Sequence, residues 1–263
     1  MTRSLAVLVL TVTLGCNKPQ PLDALRDAEW VDLSHDFSSS TIYWPTAKPF
    51  TLEVVSAQRT PAGYYYAANN FSAAEHGGTH LDAPVHFAEG KWTTDQIPLD
   101  RLVGGAVVVD VTAGADSGAD YRVDRPAIET WERDNGGIPE GAIVLFRTGW
   151  GRRWSDRAAY LGTTRTGAEA VPELHFPGID SAAAAALVDR KVRAVGIDTP
   201  SIDYGQSSSF LAHQVLFAAN IPAFENLANL DRLPATGSFI VALPMKIKGG
   251  SGGPLRIAAV LPH

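Results

Sequence analysis

The sequence predicts a mixed α/β domain, because short apolar segments of strand length alternate with segments that begin like helices. Residues 105–112, 142–148 and 192–197 are dense in β-branched and other apolar residues, which is typical of buried strands. Helices are predicted where an aspartate precedes a helix-forming run, at Asp124 and at Asp180. A helix followed closely by a strand, as at 181–197, is the building unit of an α/β sheet.

The N-terminal half of the domain is predicted to contain strands and one helix. Residues 30–34 alternate apolar and polar side chains, and residues 51–55 and 64–68 form a predicted hairpin through the turn at 61–63. The first helix is expected to begin after Asp124, with Pro126 in its first turn, and to end at the glycines 136–137.

The C-terminal half begins with residues 149–178, which show no clear period and are predicted to be a long functional loop carrying a surface histidine, His175. A helix over 181–189 follows, capped by Asp180. Serines 207–209 are expected to cap a helix that runs through His213 to about residue 219. Strands are predicted at 222–226, 238–248 and 255–261.

Composition narrows the class of protein. The chain has 263 residues, 45% of them hydrophobic, which suits one large globular domain or two small ones. A formal net charge of −6 argues against nucleic acid as a partner. A single cysteine excludes an internal disulfide and a cysteine-rich zinc site, so any metal must be held by nitrogen and oxygen ligands.

The N-terminus is predicted to be a secretory signal peptide over residues 1–15. Arg3 supplies the positive charge, residues 5–14 form an apolar run too short for a membrane span, and Gly15 precedes Cys16. We expect lipidation at Cys16, a tether over 16–28 and the domain over 29–263. The protein is then exported, as a periplasmic or outer-membrane lipoprotein, and touches the membrane through its lipid anchor; the alternative is a plain cleaved signal.

The richest stretch chemically is residues 75–87, which hold three of the seven histidines in the pattern His-x3-His-x-Asp-x3-His. Glycines and Pro84 argue against a helix, so we predict a glycine turn and then an extended segment. Alternate residues of a strand share a face, which would point His80, Asp82 and His86 one way while the turn folds His76 back. We expect the glycines at 77 and 78 to let the backbone approach a metal ion closely.

Two polar residues further along the chain stand in apolar surroundings. His213 lies in an otherwise apolar helix, where a satisfied core histidine is the ordinary explanation. Glu225 lies in an apolar strand, where a buried carboxylate is costly unless a cation is close. A cation close to Glu225 would remove that cost.

These residues resemble the signature of the cyclase family of metal-dependent hydrolases, which includes bacterial kynurenine formamidase (arylformamidase) and isatin hydrolase. Residues 76–87 read His-Gly-Gly-Thr-His-Leu-Asp-Ala-Pro-Val-His-Phe and match the family signature, including its His-x3-His spacing. The resemblance covers most of the chain after the signal peptide. It extends to residues 32–34, 43–45, 146–150 and 196–199 and to the pair His213 and Glu225.

The resemblance implies a site with two divalent metal ions, most readily Zn²⁺, with Mn²⁺ as the alternative and iron also compatible. One ion is expected on His76, His80 and Asp82. The second is expected on Asp82, His213 and Glu225, with the two carboxylates bridging.

The resemblance also assigns the remaining roles. His86 is the implied catalytic acid/base, and Trp44 is the implied wall of the substrate pocket. The implied fold is a swivelling β/β/α domain with a mixed sheet and packed helices, assembled as a homodimer or homotetramer.

The implied reaction is hydrolysis of a C–N amide bond in a small aromatic substrate, as in the arylformamidase of tryptophan catabolism. A hydroxide activated by two metals attacks the carbonyl, and a histidine protonates the leaving nitrogen. One alternative is hydrolysis of a cyclic lactam or ester such as isatin, since the formamidases are typically shorter and cytoplasmic. A second alternative is an exported metal-binding lipoprotein without catalysis.

Overall fold

The computed structural model describes residues 27–261, and within them the predicted mixed α/β fold is confirmed. The strands are β1 (Glu29–Asp32), β2 (Thr51–Arg59), β3 (Tyr65–Ser72), β4 (His80–Asp82), β5 (Val103–Asp110), β6 (Arg122–Val123), β7 (Ile143–Arg147), β8 (Gly178–Ile179), β9 (Ala194–Ile197), β10 (Ala223–Glu225), β11 (Thr236–Pro244) and β12 (Gly252–Leu261). The helices are α1 (Leu99–Leu102), α2 (Thr112–Ala115), α3 (Arg125–Asn135), α4 (Arg157–Leu161), α5 (Ser181–Asp189) and α6 (Leu211–Ala218).

The main sheet closes into a barrel. Its strand order is β1-β12-β11-β5-β7-β9-β10-β4, and a further pairing of β4 with the start of β12 closes the ring, while β1 pairs with the end of β12 outside it. Strands β5, β7, β9 and β10 run parallel, and the pairs that involve β1, β4, β11 or β12 are antiparallel. Closure matters for the site because it places the short strand β4 between two partners.

Side chains alternate between two cores along the central strands. In β5 and β7, Val108 and Leu145 belong to the core lined by residues of the closed sheet, whereas Val109 and Phe146 pack with residues of α3, α5 and α6. Burial on both sides explains why these strands read as continuous apolar runs in the sequence.

Two helix starts match their sequence signals and one differs. The carboxylates of Asp124 and Asp180 accept from the third amide beyond them, as predicted for N-caps. The serine cap expected before the helix of His213 is wrong: α6 begins after Phe210, in a left-handed conformation, with no side-chain cap of its own. The carboxylate of Asp203 takes that place by accepting from the first amides of the helix, at Ala212 and His213.

The predicted hairpin is present and longer than expected, with β2 paired to β3 from Thr51 to Arg59 except at an irregularity between Val54 and Ser56. The irregular region 149–178 holds short helical turns, α4 and the two-residue strand β8. His175 is exposed there, as predicted, and its ring pairs with Asp120.

The predicted signal peptide and lipidation site lie outside the described residues. Between residues 27 and 261, none of the helices has the length and hydropathy that a bilayer span needs.

Candidate metal and catalytic site

Strand β4 carries the centre of the site. It lies antiparallel between β10 and β12, in a register that sets His80 opposite Glu225 and Asp82 opposite Gly252. Directly opposed residues of an antiparallel pair are close neighbours on the same face. His80 Nε2 therefore lies 3.1 Å from Asp82 Oδ1 and 3.5 Å from Glu225 Oε2, with all three side chains buried.

Helix α6 carries His213, which, like Glu225, is distant from strand β4 in the sequence. The Nε2 atom of His213 lies 3.2 Å from Asp82 Oδ2 and 3.3 Å from Glu225 Oε1. His213 is only 2% exposed. The two segments that the sequence singled out separately thus meet at one pair of carboxylates.

The glycine turn folds His76 back as expected, so that its Nδ1 atom lies 2.7 Å from Asp82 Oδ1. Gly77 and Gly78 have φ angles of 152° and 59°, a region that disfavours other residues. A Cβ atom at Gly77 would collide with the ring of Tyr43, so glycine lets an aromatic ring pack closely against the turn. Close approach of this backbone to a metal ion stays a prediction.

Two of the imidazoles are oriented by hydrogen bonds from their outer nitrogens. His80 Nδ1 donates to the carbonyl oxygen of Gly78 at 2.9 Å, and His213 Nδ1 donates to Asp203 Oδ2 at 2.6 Å. Because the outer nitrogen carries the proton, the Nε2 atom of each neutral ring directs a lone pair toward the carboxylates.

The third imidazole is held in the opposite tautomer. Ser251 Oγ donates to Glu75 Oε2 at 2.7 Å, so it accepts from His76 Nε2 at 2.9 Å. The neutral ring then presents the lone pair of Nδ1 to Asp82. Once their inner nitrogens are deprotonated, the three imidazoles present lone pairs beside two carboxylates, which is the donor set that a cation requires.

The pKa shifts of the buried carboxylates and of His213 also indicate that positive charge stabilises this site. Burial and the charge of Asp82 both raise the pKa of Glu225. Burial alone would raise the pKa of Asp82, but the charges and hydrogen bonds of the surrounding histidines, His76 first, hold it well below its usual range. Burial opposes charge on His213, and its hydrogen bonds to Asp203 and Asp82 outweigh burial and raise its pKa well above the usual value.

The donor set fits divalent metal ions. Ligand atoms of His80, Asp82 and Glu225 lie within 4.8 Å of one another, and so do those of His76, Asp82 and His86. Nitrogen and oxygen donors of this kind bind Zn²⁺ or Mn²⁺. No lysine or arginine is among the described residues that line the cavity, so no fixed cation balances the two buried carboxylates.

His86 lies at the site, but the backbone conformation that positions it differs from the predicted strand. The expected strand from His80 to His86 is wrong, because β4 ends at Asp82 and residues Pro84–His86 form a 3₁₀ turn. Proline fixes the φ angle that a first helical turn needs and cannot donate to a strand ladder. The ring of His86 stacks on His76 at a centroid distance of 3.9 Å.

No hydrogen bond within residues 27–261 holds the ring of His86. Its Nε2 atom lies 4.0 Å from Asp82 Oδ2, and its side chain is 30% exposed, against 3% for His80 and His213. Burial lowers the pKa of His86 to about 4. The ring is therefore the one histidine of the cluster that is free to face a ligand in the cavity.

A cavity of about 310 Å³ opens in front of these residues, at the lower end of the ~300–1,000 Å³ range of small-molecule sites. Trp44 lies on its wall, with its ring 6.3 Å from those of Phe176 and Phe210. The rest of the wall is largely apolar, and its polar members outside the metal cluster are Ser201 and Asn226. Its apolar members include Ile42, Tyr43, Ala47, Ala74, Phe87, Leu161 and Pro200.

Sequence reasoning missed the residues that orient the histidines. Asp203, Ser251 and Glu75 are each necessary to one of the hydrogen bonds described above. Glu75 and Ser251 are 176 positions apart and belong to no local pattern, so the sequence carries no signal that pairs them.

The fold and this site together define a class, that of α/β barrel proteins with a buried His/Asp/Glu centre suited to metal. Residues 31–204 match the family described as "Putative cyclase". Since that match spans more than half of the chain, the chain belongs to the cyclase family.

Two curated relatives illustrate the range of the family. An isatin hydrolase of Roseibium aggregatum is 35% identical over 208 residues, which cover 76% of this chain and 77% of that protein. A kynurenine formamidase of Salinibacter ruber is 31% identical over 226 residues, which cover 86% of this chain and 94% of that protein.

Solved structures resemble the fold over nearly its whole length. Isatin hydrolase A from Ralstonia solanacearum superposes with a TM-score of 0.82 at 35% identity, covering 93% of this chain and 98% of that one. Isatin hydrolase A from Labrenzia aggregata, bound to benzyl benzoate, gives a TM-score of 0.81 at 36% identity, covering 90% and 94%.

Proposed function

We propose that this chain is a metal-dependent hydrolase that opens the C–N amide bond of a small, neutral aromatic lactam of the isatin type. The observation that carries the proposal is the convergence of three imidazole lone pairs on Asp82 and Glu225 at the end of an aromatic cavity. The names and the similarity of the isatin hydrolases support the choice of substrate class.

The proposed metal ligands are His76, His80 and Asp82 for one ion and Asp82, His213 and Glu225 for a second. Zn²⁺ is the proposed metal, with Mn²⁺ as the alternative. Such ions, when bound, supply a Lewis acid for the carbonyl and lower the pKa of a coordinated water.

The remaining residues act on the substrate itself. The aromatic wall at Trp44 orients the planar ring system so that its amide carbonyl faces the carboxylates. The free imidazole of His86 takes a proton from the attacking water and returns it to the amide nitrogen, which leaves as a neutral amine. Water is added across the C–N bond of the ring, which gives a single ring-opened product that carries both a carboxylate and an arylamine, and one proton is released.

Hydrolysis of N-formylkynurenine, the arylformamidase reaction that the sequence favoured, is the second candidate. The kynurenine formamidase relatives support it, since one aligns with this chain over 94% of its own length. That substrate carries an amino-acid carboxylate, however, and the described lining of the cavity offers no arginine or lysine to pair with it. A neutral planar lactam carries no carboxylate, so it needs no arginine or lysine in the cavity.

A substrate panel tests the proposal. Isatin, N-formylkynurenine and formanilide are incubated with the chain after reconstitution with ZnCl₂ or MnCl₂, and with a metal-free sample as the control. We expect turnover of isatin, with the highest kcat/KM of the three, that depends on metal. Tight metal binding without turnover of any of them would instead favour the non-catalytic metal-binding lipoprotein. Export and lipidation at Cys16 stay predictions.

A further inference from the structure

A second pocket, of about 380 Å³, lies beside the catalytic cavity and shares part of its wall. Tyr43 and Trp44 line both spaces. Trp154 and Arg157 line the second one, which we call the outer pocket, and are not among the described residues that line the catalytic cavity. The volume of the outer pocket falls within the ~300–1,000 Å³ range of small-molecule sites.

Arg157, the first residue of α4, gives the outer pocket a positive charge. Of the described residues that line the pocket, it is the one with a charged side chain. Its guanidinium makes one hydrogen bond, in which Nη1 donates to the carbonyl oxygen of Tyr43 at a long 3.4 Å. Its Nε atom is shielded from solvent and has no hydrogen-bond partner in the described part of the chain. Most of the N–H donors of this side chain are therefore unused.

No carboxylate balances the charge of Arg157. Burial lowers the pKa of its guanidinium, and no acidic neighbour among residues 27–261 raises it in return. Arg190, which is also half-buried, has such a neighbour: its Nη2 atom lies 2.5 Å from Glu132 Oε2, and this contact raises the pKa of Arg190. A half-buried cation without a counter-charge is costly, and an anion from solution would remove that cost.

The other lining residues favour a flat ring. Trp44 and Trp154 supply two indole rings. The ring of Trp154 is held in place, because it stacks on His35 at a centroid distance of 4.0 Å and meets Tyr160 edge to face at 5.2 Å. Ser155 adds a hydroxyl group. Rigid aromatic walls beside one guanidinium are suited to a ligand that is both planar and anionic.

We propose that the outer pocket is a second binding site, which takes a planar aromatic carboxylate. The carboxylate pairs with the guanidinium fork of Arg157, and the ring packs against Trp44 and Trp154. The ring-opened product of the proposed hydrolysis belongs to this class, so the outer pocket would hold product beside the cavity that forms it. That last step rests on the proposed function, whereas the binding of an aromatic carboxylate does not.

Calorimetric titration of the full chain with benzoate, with and without added ZnCl₂, tests the proposal. Arg157→Gln is expected to raise the dissociation constant of benzoate at least about tenfold, because glutamine cannot form a charged bidentate pair. Benzamide, the neutral counterpart, should bind the wild type at least about tenfold more weakly than benzoate does. The matched control Arg133→Gln removes the same charge from a side chain on α3 that bonds Thr130, and should bind benzoate as the wild type does. Equal affinities of Arg157→Gln and the wild type overturn the proposal, as does binding that requires zinc and is indifferent to Arg157.

Crystals of the wild type soaked with 4-bromobenzoate keep the proposal falsifiable if Arg157→Gln fails to fold. The anomalous peak of bromine is expected in the outer pocket, with the carboxylate on Arg157. A peak confined to the catalytic cavity, or no peak at all, overturns the proposal. Neither measurement depends on turnover. A chain that binds benzoate through Arg157 and leaves isatin intact would contradict the proposed function alone, and the reverse result would contradict this site alone.

Discussion

Asp203 Oδ2 lies 2.6 Å from Nδ1 of His213, and the same carboxylate accepts hydrogen bonds from the backbone amides at the start of α6. One buried side chain thus fixes both the helix that carries His213 and the tautomer of its ring. The Nε2 lone pair is directed at Asp82 and Glu225 as a result.

Asp203→Asn should weaken metal binding, because an amide cannot hold the proton on His213 Nδ1 with the same strength or charge. We expect a loss of about 10–100-fold in affinity for one metal ion, measured by competition with a chelating dye. The matched control is Asp120→Asn, which alters an exposed pair with His175 and should leave affinity unchanged. Equal metal affinities of the Asp203→Asn variant and the wild type would show that Asp203 does not orient His213 for metal binding.

His86→Ala should abolish turnover while leaving metal content near that of the wild type. The ring lies 4.0 Å from Asp82 and is held by no hydrogen bond in the described residues, so it is free to move a proton. Loss of a general acid/base lowers kcat by about 10²–10⁴-fold. Inductively coupled plasma mass spectrometry gives the metal content, and His175→Ala serves as the control. A drop in bound metal would make His86 a ligand, since its atoms also lie within 4.8 Å of those of His76 and Asp82.

Metal binding should release protons at neutral pH and weaken as the pH falls. Burial opposes charge on His80 and His213, but the surrounding carboxylates raise the pKa of both rings in the metal-free protein. A metal must displace those protons, so acid favours the metal-free form. Calorimetric titration of Zn²⁺ in buffers with different ionisation enthalpies measures the number of protons released. A value of zero would contradict the raised pKa of His80 and His213 in the metal-free protein.

Trp44→Ala should impair substrate binding more than chemistry, because Trp44 forms the wall of the cavity and carries no ligand atom. We expect KM for isatin to rise about tenfold with little change in kcat, corresponding to the loss of an aromatic contact of about 1.4 kcal/mol. The control is Trp30→Ala, at a tryptophan that is 50% exposed on β1 and outside the cavity lining. Unchanged KM and kcat for Trp44→Ala would contradict a contact between Trp44 and the substrate.

The strands and most of the helices could be predicted because their signals are local. Asp180 begins a helix that runs over Ser181–Asp189, as its capping pattern indicates. His80, Asp82 and Glu225 could be singled out because carboxylates and imidazoles among apolar neighbours need a partner. Their assembly is explained by a strand register that places His80 opposite Glu225.

The parts that could not be predicted depend on tertiary contacts. The turn at Pro84 moves His86 off the strand, and the alternation of side chains along the sequence gives no indication of it. Asp203 caps α6 from a preceding loop in place of the nearer serines, because its carboxylate reaches the helix start through the fold. The hydrogen bond of His76 to Ser251 likewise joins segments that are distant in sequence.

The central claim is that two distant segments of the chain close around metal ions. Anomalous X-ray diffraction from crystals grown with zinc tests this claim most directly. We predict peaks about 2.0–2.2 Å from Nε2 of His80 or His213 and from oxygens of Asp82 and Glu225. Anomalous peaks confined to other residues, with Asp82 and Glu225 free of metal, would contradict the account.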